Sequence, residues 1–169
     1  MDLGRRYPLV YNAFHAFAEI LGEEDRLVAL KAMAAHLEPN GVLILTLHNP
    51  PVRAARVDAQ WRTDGPFEIA ERGTSLTVAH HWQMGAVAGR VVGEQRYEER
   101  TRQGTVVGQV ALPITFDLVT QQEVVRSANI AGLRIDQTCG DYDDSPFDSV
   151  RSPYMIFVLS KLPGWEAAG

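Results

Sequence analysis

The sequence predicts an α/β fold with an antiparallel β insertion, and three observations support this prediction. A strand, an amphipathic helix and a second apolar strand follow one another within the first 50 residues, as in a parallel βαβ unit. From residue 75 the apolar residues recur with a period of two, which is typical of strands with one buried face. A helix and two further apolar strands then complete the sequence.

The first 50 residues account for the βαβ unit. Residues 7–14 (YPLVYNAF) predict a buried strand, and three acidic residues at 23–25 favour a helix start there. The helix is expected from about Glu23 to Leu37, with its leucines on one face and Arg26 off that face. The tripeptide Pro39-Asn40-Gly41 predicts a turn, and residues 42–47 predict a parallel strand covered on both faces.

Residues 51–118 do not show the βαβ pattern of the first 50 residues. No clear period is visible over 51–72, which predicts a connecting loop. Strands are expected over residues 75–84, 88–101 and 104–118, and the last two are joined by a tight turn at Gln103-Gly104. In the last of these strands, Val106, Val110 and Leu112 share the face expected to be buried. The predicted domains are therefore a core of residues 1–50 and 119–169, with the loop and β insertion over 51–118.

The final segment carries a helix and two strands. Thr120 and Glu123 have the spacing of a capping box, which predicts a helix that ends near Ala131. Strands are expected over residues 133–139 and 154–159, separated by a polar loop.

Composition narrows the class of protein. A net charge of −5 without a Lys/Arg cluster argues against a nucleic-acid partner. One cysteine, Cys139, allows no internal disulfide, and no apolar stretch is long enough for a membrane span. These features favour a cytoplasmic location. No metal is expected, because the adjacent His80 and His81 would point to opposite faces of a strand.

In this order, several strings resemble the C-terminal half of class I S-adenosylmethionine-dependent methyltransferases. Residues 7–14 look like the fourth strand of that family, and Leu37-Glu38-Pro39-Asn40-Gly41 looks like its Leu-x-Pro-Gly-Gly turn. Residues 42–50, ending in Asn49-Pro50, are similar to its fifth strand, and residues 132–158 to its closing helix, loop and strand pair. Residues 75–118 look like the lid that some small-molecule methyltransferases insert. The resemblance implies a partial Rossmann-like sheet with an inserted β-meander.

The resemblance also implies a cofactor, S-adenosylmethionine, and a set of site residues at the carboxyl ends of the strands. His15 is the candidate catalytic residue, able to accept a proton or to orient an amine or hydroxyl acceptor. The candidate cofactor-binding residues are Tyr11, Asn12, Ala13 and Phe14. The candidate substrate-binding residues are Phe17, His48, Asn49 and Tyr142.

The sequence departs from the family in one important respect. Complete members open with a glycine-rich loop that holds the methionine part of the cofactor, and this sequence contains no counterpart. Two hypotheses follow: the chain is part of a small-molecule methyltransferase that needs an N-terminal half, or it is a non-catalytic binding or assembly module. Under both, the strand at residues 7–14 would be an apolar edge, so a homo-oligomer or pairing with the missing half is expected there.

Overall fold

The computed structural model describes residues 3–164, which form two compact units. One unit contains the residues up to 54 and from 117 onward, and the other contains Ala55–Phe116. The strands in chain order are β1 (Tyr7–Asn12), β2 (Leu37–His48), β3 (Arg62–Ile69), β4 (Thr74–Met84), β5 (Arg90–Thr101), β6 (Val106–Asp117), β7 (Leu133–Cys139) and β8 (Tyr154–Lys161). The helices are α1 (Glu23–Ala35), α2 (Pro50–Ala54) and α3 (Gln121–Ile130), with a 3-10 helix at Ala16–Glu19. No described helix has the length and apolar character needed to cross a bilayer.

The first unit is a four-stranded mixed sheet in the order β1-β2-β8-β7. β1 is parallel to β2, whereas β8 is antiparallel to both β2 and β7. α1 contacts β2, α3 contacts β7, and the two helices contact each other, so both cover the same face of the sheet. Leu43, Leu45 and Leu47 point to that face and are buried.

The opposite face of this sheet is more open. Leu9 lies beside Val42 and Tyr11 beside Ile44 in the register of β1 and β2, so these four side chains share that face. Leu9 is 49% exposed and Tyr11 is 69% exposed. The prediction of a buried strand over residues 7–14 is therefore wrong for β1, because both helices lie on the other face, whereas residues 42–47 of β2 are all buried or half-buried.

Two boundaries of the predicted βαβ unit differ in the structure. α1 ends at Ala35, and the tripeptide Pro39-Asn40-Gly41 lies inside β2 rather than in a turn before it. Tyr7 pairs with Leu37 and Leu9 with Val42, so β2 carries three more residues than β1 over this stretch and bulges. Proline and glycine are tolerated in a strand at such an irregularity.

The second unit is an antiparallel sheet in the order β3-β4-β5-β6. Its first strand, β3, lies in the segment predicted to be a loop, as does α2 just before it. β3 is almost entirely exposed and has no buried face. Its sequence therefore lacks the alternation of apolar and polar residues from which a strand is predicted. On β6, Phe116 is buried against Trp82, but Val106, Val110 and Leu112 are exposed, contrary to the prediction.

The capping box predicted at the start of α3 is present. The Thr120 hydroxyl accepts a hydrogen bond from the backbone N–H of Glu123, and the Glu123 carboxylate accepts one from the backbone N–H of Thr120. Gly104 occupies the tight turn between β5 and β6 with a positive φ of 86°, as that turn requires.

A buried arginine connects several elements of the first unit. Arg26, which the helical pattern placed off the packed face, is 5% exposed and donates to Asp117 at 2.8 Å. The same guanidinium donates to the carbonyl of Ile20 and lies 3.5 Å from Glu123. Asp117 also accepts a hydrogen bond from the backbone N–H of Gly22. One ionic cluster thus holds together α1, Asp117 and the start of α3.

Removal of this ion pair should destabilise the fold. We expect Asp117→Ala to lower the free energy of unfolding by about 3–5 kcal/mol, because the charge of Arg26 would remain buried without its main partner. Urea unfolding followed by circular dichroism measures this change. Glu23→Ala is the matched control, since its exposed pair with Arg126 joins the same two helices and should contribute no more than about 1 kcal/mol. Equal losses for the two variants would contradict the assignment.

Candidate functional site at the carboxyl edge of the sheet

The candidate site lies where β1 and β2 end. Parallel strands have their carboxyl ends at the same edge of a sheet, and α/β proteins bind ligands there. His15 follows β1, and His48 is the last residue of β2. Tyr154 pairs with His48 in the register of β2 and β8, which brings the start of β8 to the same edge.

The backbone after β1 adopts an uncommon conformation. Phe14 and His15 both have positive φ, at 54° and 62°, although neither is glycine. Such residues are uncommon and cost free energy, so they often mark functional turns. Asn12 supports the turn by accepting a hydrogen bond from the backbone N–H of Phe17 at 2.9 Å. The turn directs His15 inward while Phe14 is 88% exposed.

His15 belongs to a cluster of aromatic rings. Its ring centroid lies 3.6 Å from that of His48 and 5.2 Å from that of Tyr154, and both pairs are stacked. Tyr142 extends the cluster, with its ring 5.4 Å from that of Tyr154. Two of the four rings, those of His48 and Tyr154, come from residues that end or begin strands of the same sheet, and the other two come from residues that follow strands of it.

The environment of His15 favours its neutral form. Burial lowers the pKa of the imidazole below its ordinary value, and the positive charge of Arg53 lowers it further. A hydrogen bond with the backbone of Thr46 acts in the opposite direction but does not offset them. The ring atom Nδ1 is buried and has no hydrogen-bond partner within residues 3–164. A neutral imidazole with an unused nitrogen can accept a proton from a bound molecule.

A groove of about 350 Å³ is lined by Tyr142, the ring at one end of this cluster, but not by His15, His48 or Tyr154. Apolar side chains of β2 and β8 line much of it, together with the aromatic ring of Tyr142. Two carboxylates, Asp141 and Asp144, also line it, and no Lys or Arg does so among the described residues. Three of the four predicted cofactor-binding residues contribute to it, namely Tyr11, Asn12 and Ala13. The groove therefore combines aromatic surface with negative charge, which suits a positively charged organic ligand.

The other predicted site residues occupy different surroundings. Phe17 is 2% exposed and belongs to the core. Asn49 is buried, and its amide donates to the carbonyls of Ser149 and Ser152, so it anchors the loop before β8. Neither Phe17 nor Asn49 offers an exposed polar group to a substrate. Their predicted contacts with the substrate stay predictions.

The sequence did not single out three residues of the site. Tyr154 was predicted only as the first residue of a strand, and Thr46 only as part of one. Arg53 lay in a segment predicted to be a loop. Tyr154 could have been found from the order of the strands, since a strand antiparallel to β2 must begin at the edge where β2 ends.

No protein-family profile matches the chain, and no curated protein has significant sequence similarity to it. Solved structures do match. An S-adenosylmethionine-dependent methyltransferase from Clostridium acetobutylicum superposes with a TM-score of 0.80 at 13% identity, over 97% of this chain and 61% of that one. DesVI from Streptomyces venezuelae gives 0.74 at 19% identity, over 95% and 61%. The sugar N-methyltransferase KedS8 from a Streptoalloteichus species gives 0.70 at 19% identity, over 96% and 59%.

These similarities show the fold. The described chain has the α/β fold of class I S-adenosylmethionine-dependent methyltransferases, as the sequence predicted. It spans about 60% of the length of the methyltransferases that it matches.

The lowered pKa of His15 predicts a pH dependence of stability. The unfolded chain binds a proton near pH 6.5, whereas folded His15 binds it only at lower pH. Protonation therefore favours unfolding, and the contribution of His15 to stability is lost as the pH falls below about 6.5. Urea titrations between pH 5 and pH 8 should show a steeper pH dependence for the wild type than for His15→Asn, in which Asn tolerates the positive φ. Identical pH dependence for the two proteins would contradict the lowered pKa.

Proposed function

We propose that this chain forms part of the active site of an S-adenosylmethionine-dependent methyltransferase that acts on a nitrogen or oxygen atom of a small molecule. The observation that carries the proposal is a ligand-sized groove at the carboxyl edge of a methyltransferase-type sheet. Tyr142 lines this groove and contacts Tyr154, on which the neutral, inward-facing His15 is stacked. The groove has the size of small ligand sites in general.

The groove fits one part of the cofactor. When bound, S-adenosylmethionine supplies a methyl group carried on a positively charged sulfur. The carboxylates of Asp141 and Asp144 and the ring of Tyr142 offer negative charge and aromatic surface for positive groups, and Tyr11, Asn12 and Ala13 complete the wall. The sequence contains no glycine-rich loop for the remainder of the cofactor. In this proposal that contact comes from polypeptide outside the described chain.

The role of His15 is to take up the proton that the acceptor loses. Its unused Nδ1 is the receiving atom, and its lowered pKa keeps it neutral near pH 7. Stacking on His48 and Tyr154 fixes the plane of the ring, so the nitrogen is already oriented before an acceptor binds. Tyr142 and His48 are the proposed contacts with the acceptor.

An amine is the favoured acceptor. KedS8 is a sugar N-methyltransferase, and CalS10, which matches with a TM-score of 0.68 at 20% identity, is an amino pentose methyltransferase. The acidic groove of this chain supports an acceptor that carries an amino group. An intracellular, cytoplasmic site of action is part of the proposal, in keeping with a single cysteine.

The second candidate function is a non-catalytic binding or assembly module that retains the fold. The engagement of Asn12 and Asn49 in backbone contacts favours it. Association with a second copy or with an N-terminal half along β1 is compatible with both candidates.

Calorimetry with S-adenosylhomocysteine separates the two candidates. The methyltransferase proposal predicts binding that weakens at least tenfold in Tyr142→Ala, a loss of about 1.4 kcal/mol, because the exposed ring lines the groove. Val150→Ala is the matched control, since Val150 is exposed on the same loop but outside the groove. Equal affinities of wild type and Tyr142→Ala would contradict the proposed groove, and no binding by a folded chain would be the result expected of the module or of an enzyme that needs its N-terminal part to bind the cofactor.

A second experiment tests His15. Transfer of a labelled methyl group to amino sugars should be slowed about 100-fold by His15→Asn, while the affinity for S-adenosylhomocysteine is retained. His81→Asn, in the second unit, is the control histidine and should leave the rate unchanged. Equal rates for wild type and His15→Asn would refute proton acceptance by His15.

A further inference from the structure

The turn that carries His15 is closed by one side chain. The amide oxygen of Asn12 accepts a hydrogen bond from the backbone N–H of Phe17 at 2.9 Å, and this bond spans residues 13–16. Asn12 is fixed at the end of β1, where it pairs with Leu45 of β2, and the side chain of Phe17 is buried in the core. The bond therefore connects two anchored points across the segment that contains His15.

The backbone within this segment depends on such support. Phe14 and His15 both have positive φ, which residues other than glycine rarely adopt. Two backbone hydrogen bonds lie within the segment, from the N–H of Ala16 to the carbonyl of Ala13 and from the N–H of Ala18 to the carbonyl of His15. Both accept at residues after the strand, whereas the Asn12 bond reaches back to β1 itself.

The imidazole of His15 binds a backbone group of the neighbouring strand. β1 ends at Asn12, opposite Leu45, whereas β2 continues to His48. Thr46, the residue after Leu45, forms a backbone hydrogen bond with the His15 ring. This bond favours the protonated ring, so the Thr46 group is the carbonyl, which accepts.

The bond to Thr46 determines which ring nitrogen carries the proton. A carbonyl oxygen only accepts, so the nitrogen that faces it must be an N–H. Nδ1 of His15 has no hydrogen-bond partner within residues 3–164, so the donor is Nε2. A neutral imidazole has one N–H, which leaves Nδ1 with an available lone pair.

We propose that Asn12 is a positioning residue: its hydrogen bond from Phe17 holds the turn so that His15 donates Nε2–H to Thr46 and presents Nδ1 to the methyl acceptor. This inference rests on the proposed function, in which His15 takes up a proton. The resemblance implied that Asn12 binds the cofactor. In this proposal its amide oxygen is committed to the turn, and Asn12 acts on the reaction through His15.

Ring stacking makes the alignment detectable. The ring centroid of His15 lies 3.6 Å from that of His48 and 5.2 Å from that of Tyr154. The two stacked rings restrict the tilt of the imidazole, and the bond to Thr46 restricts its rotation within its own plane. Without the Asn12 bond the turn can leave its left-handed conformation, and the stacking and the Thr46 bond are then lost together.

Nuclear magnetic resonance spectra of the imidazoles in the full chain test this geometry. Near pH 8 an ordinary histidine, with a pKa of about 6.5, is neutral. In the wild type we expect a His15 proton on Nε2 that exchanges slowly with water, and nuclear Overhauser contacts with the rings of His48 and Tyr154. Asn12→Ala should lose the N–H signal and both contacts. Asn12→Asp should retain them, because its carboxylate can accept the same hydrogen bond from Phe17.

Thr120→Ala is the matched control for these spectra. It also removes a side-chain acceptor of a backbone N–H from the first unit, at the start of α3. Its His15 signals should match those of the wild type, which separates positioning from a general loss of stability. Unchanged signals in Asn12→Ala, their loss in folded Asn12→Asp, or a wild-type ring proton on Nδ1 would overturn the proposal.

A double variant tests whether Asn12 acts through His15. Asn12→Ala should slow methyl transfer about 100-fold, as His15→Asn does, and the double variant should be no slower than His15→Asn alone. The affinity for S-adenosylhomocysteine should be retained. A double variant slower by a further tenfold, or weaker binding by Asn12→Ala, would indicate direct contact with the cofactor and overturn the positioning role. Absence of methyl transfer by the wild type would count against the proposed function instead, and the spectra would still decide the role of Asn12 in the geometry.

Discussion

The ionic cluster around Arg26 is the constraint on which the first unit depends. A guanidinium with so little exposure needs acceptors within the protein, and Arg26 has them in Asp117, Glu123 and the carbonyl of Ile20. Ile20 ends the segment that begins with the left-handed turn at His15. The cluster thus fixes the end of this segment next to α1, while the hydrogen bond from the Phe17 N–H to Asn12 holds the end that carries the imidazole.

The chemistry of the edge follows from that fixed position. Left-handed geometry at Phe14 and His15 carries a free-energy cost, which the hydrogen bond from Phe17 to Asn12 and the stacking of His15 on His48 help to offset. The same stacking removes His15 from water and lowers its pKa. Strain, burial and neutrality therefore have one structural origin, and the proposed role of His15 as a proton acceptor depends on them.

The sequence predicted those parts of the fold that have a local signal. The helix at Thr120 carries its own capping box, and the buried strands carry their apolar runs. Prediction from the sequence failed where contacts with distant residues determine the local structure. Pro39-Asn40-Gly41 has the composition of a turn but lies in a bulge of β2. The exposed strand β3 has no alternation of apolar and polar residues. Arg26 looked like a surface residue because its partners are 91 and 97 positions away.

The same limit applies to the site. His15, His48 and Tyr142 were predicted because they leave strands at the carboxyl edge, and the structure brings them into one cluster. Tyr154 was missed because its place depends on strand order, which local sequence does not encode. Asn49 shows the opposite case, in which a polar residue at a strand end anchors a loop instead of facing the groove.

A titration of the isotope-labelled chain with S-adenosylhomocysteine, followed by amide chemical shifts in nuclear magnetic resonance spectra, tests whether the cofactor binds at this edge. Binding there should concentrate the shift changes at residues 11–15, 46–48 and 141–142, around the groove and the aromatic cluster. Shifts confined to the second unit, or none at saturating ligand, would contradict a cofactor site at this edge.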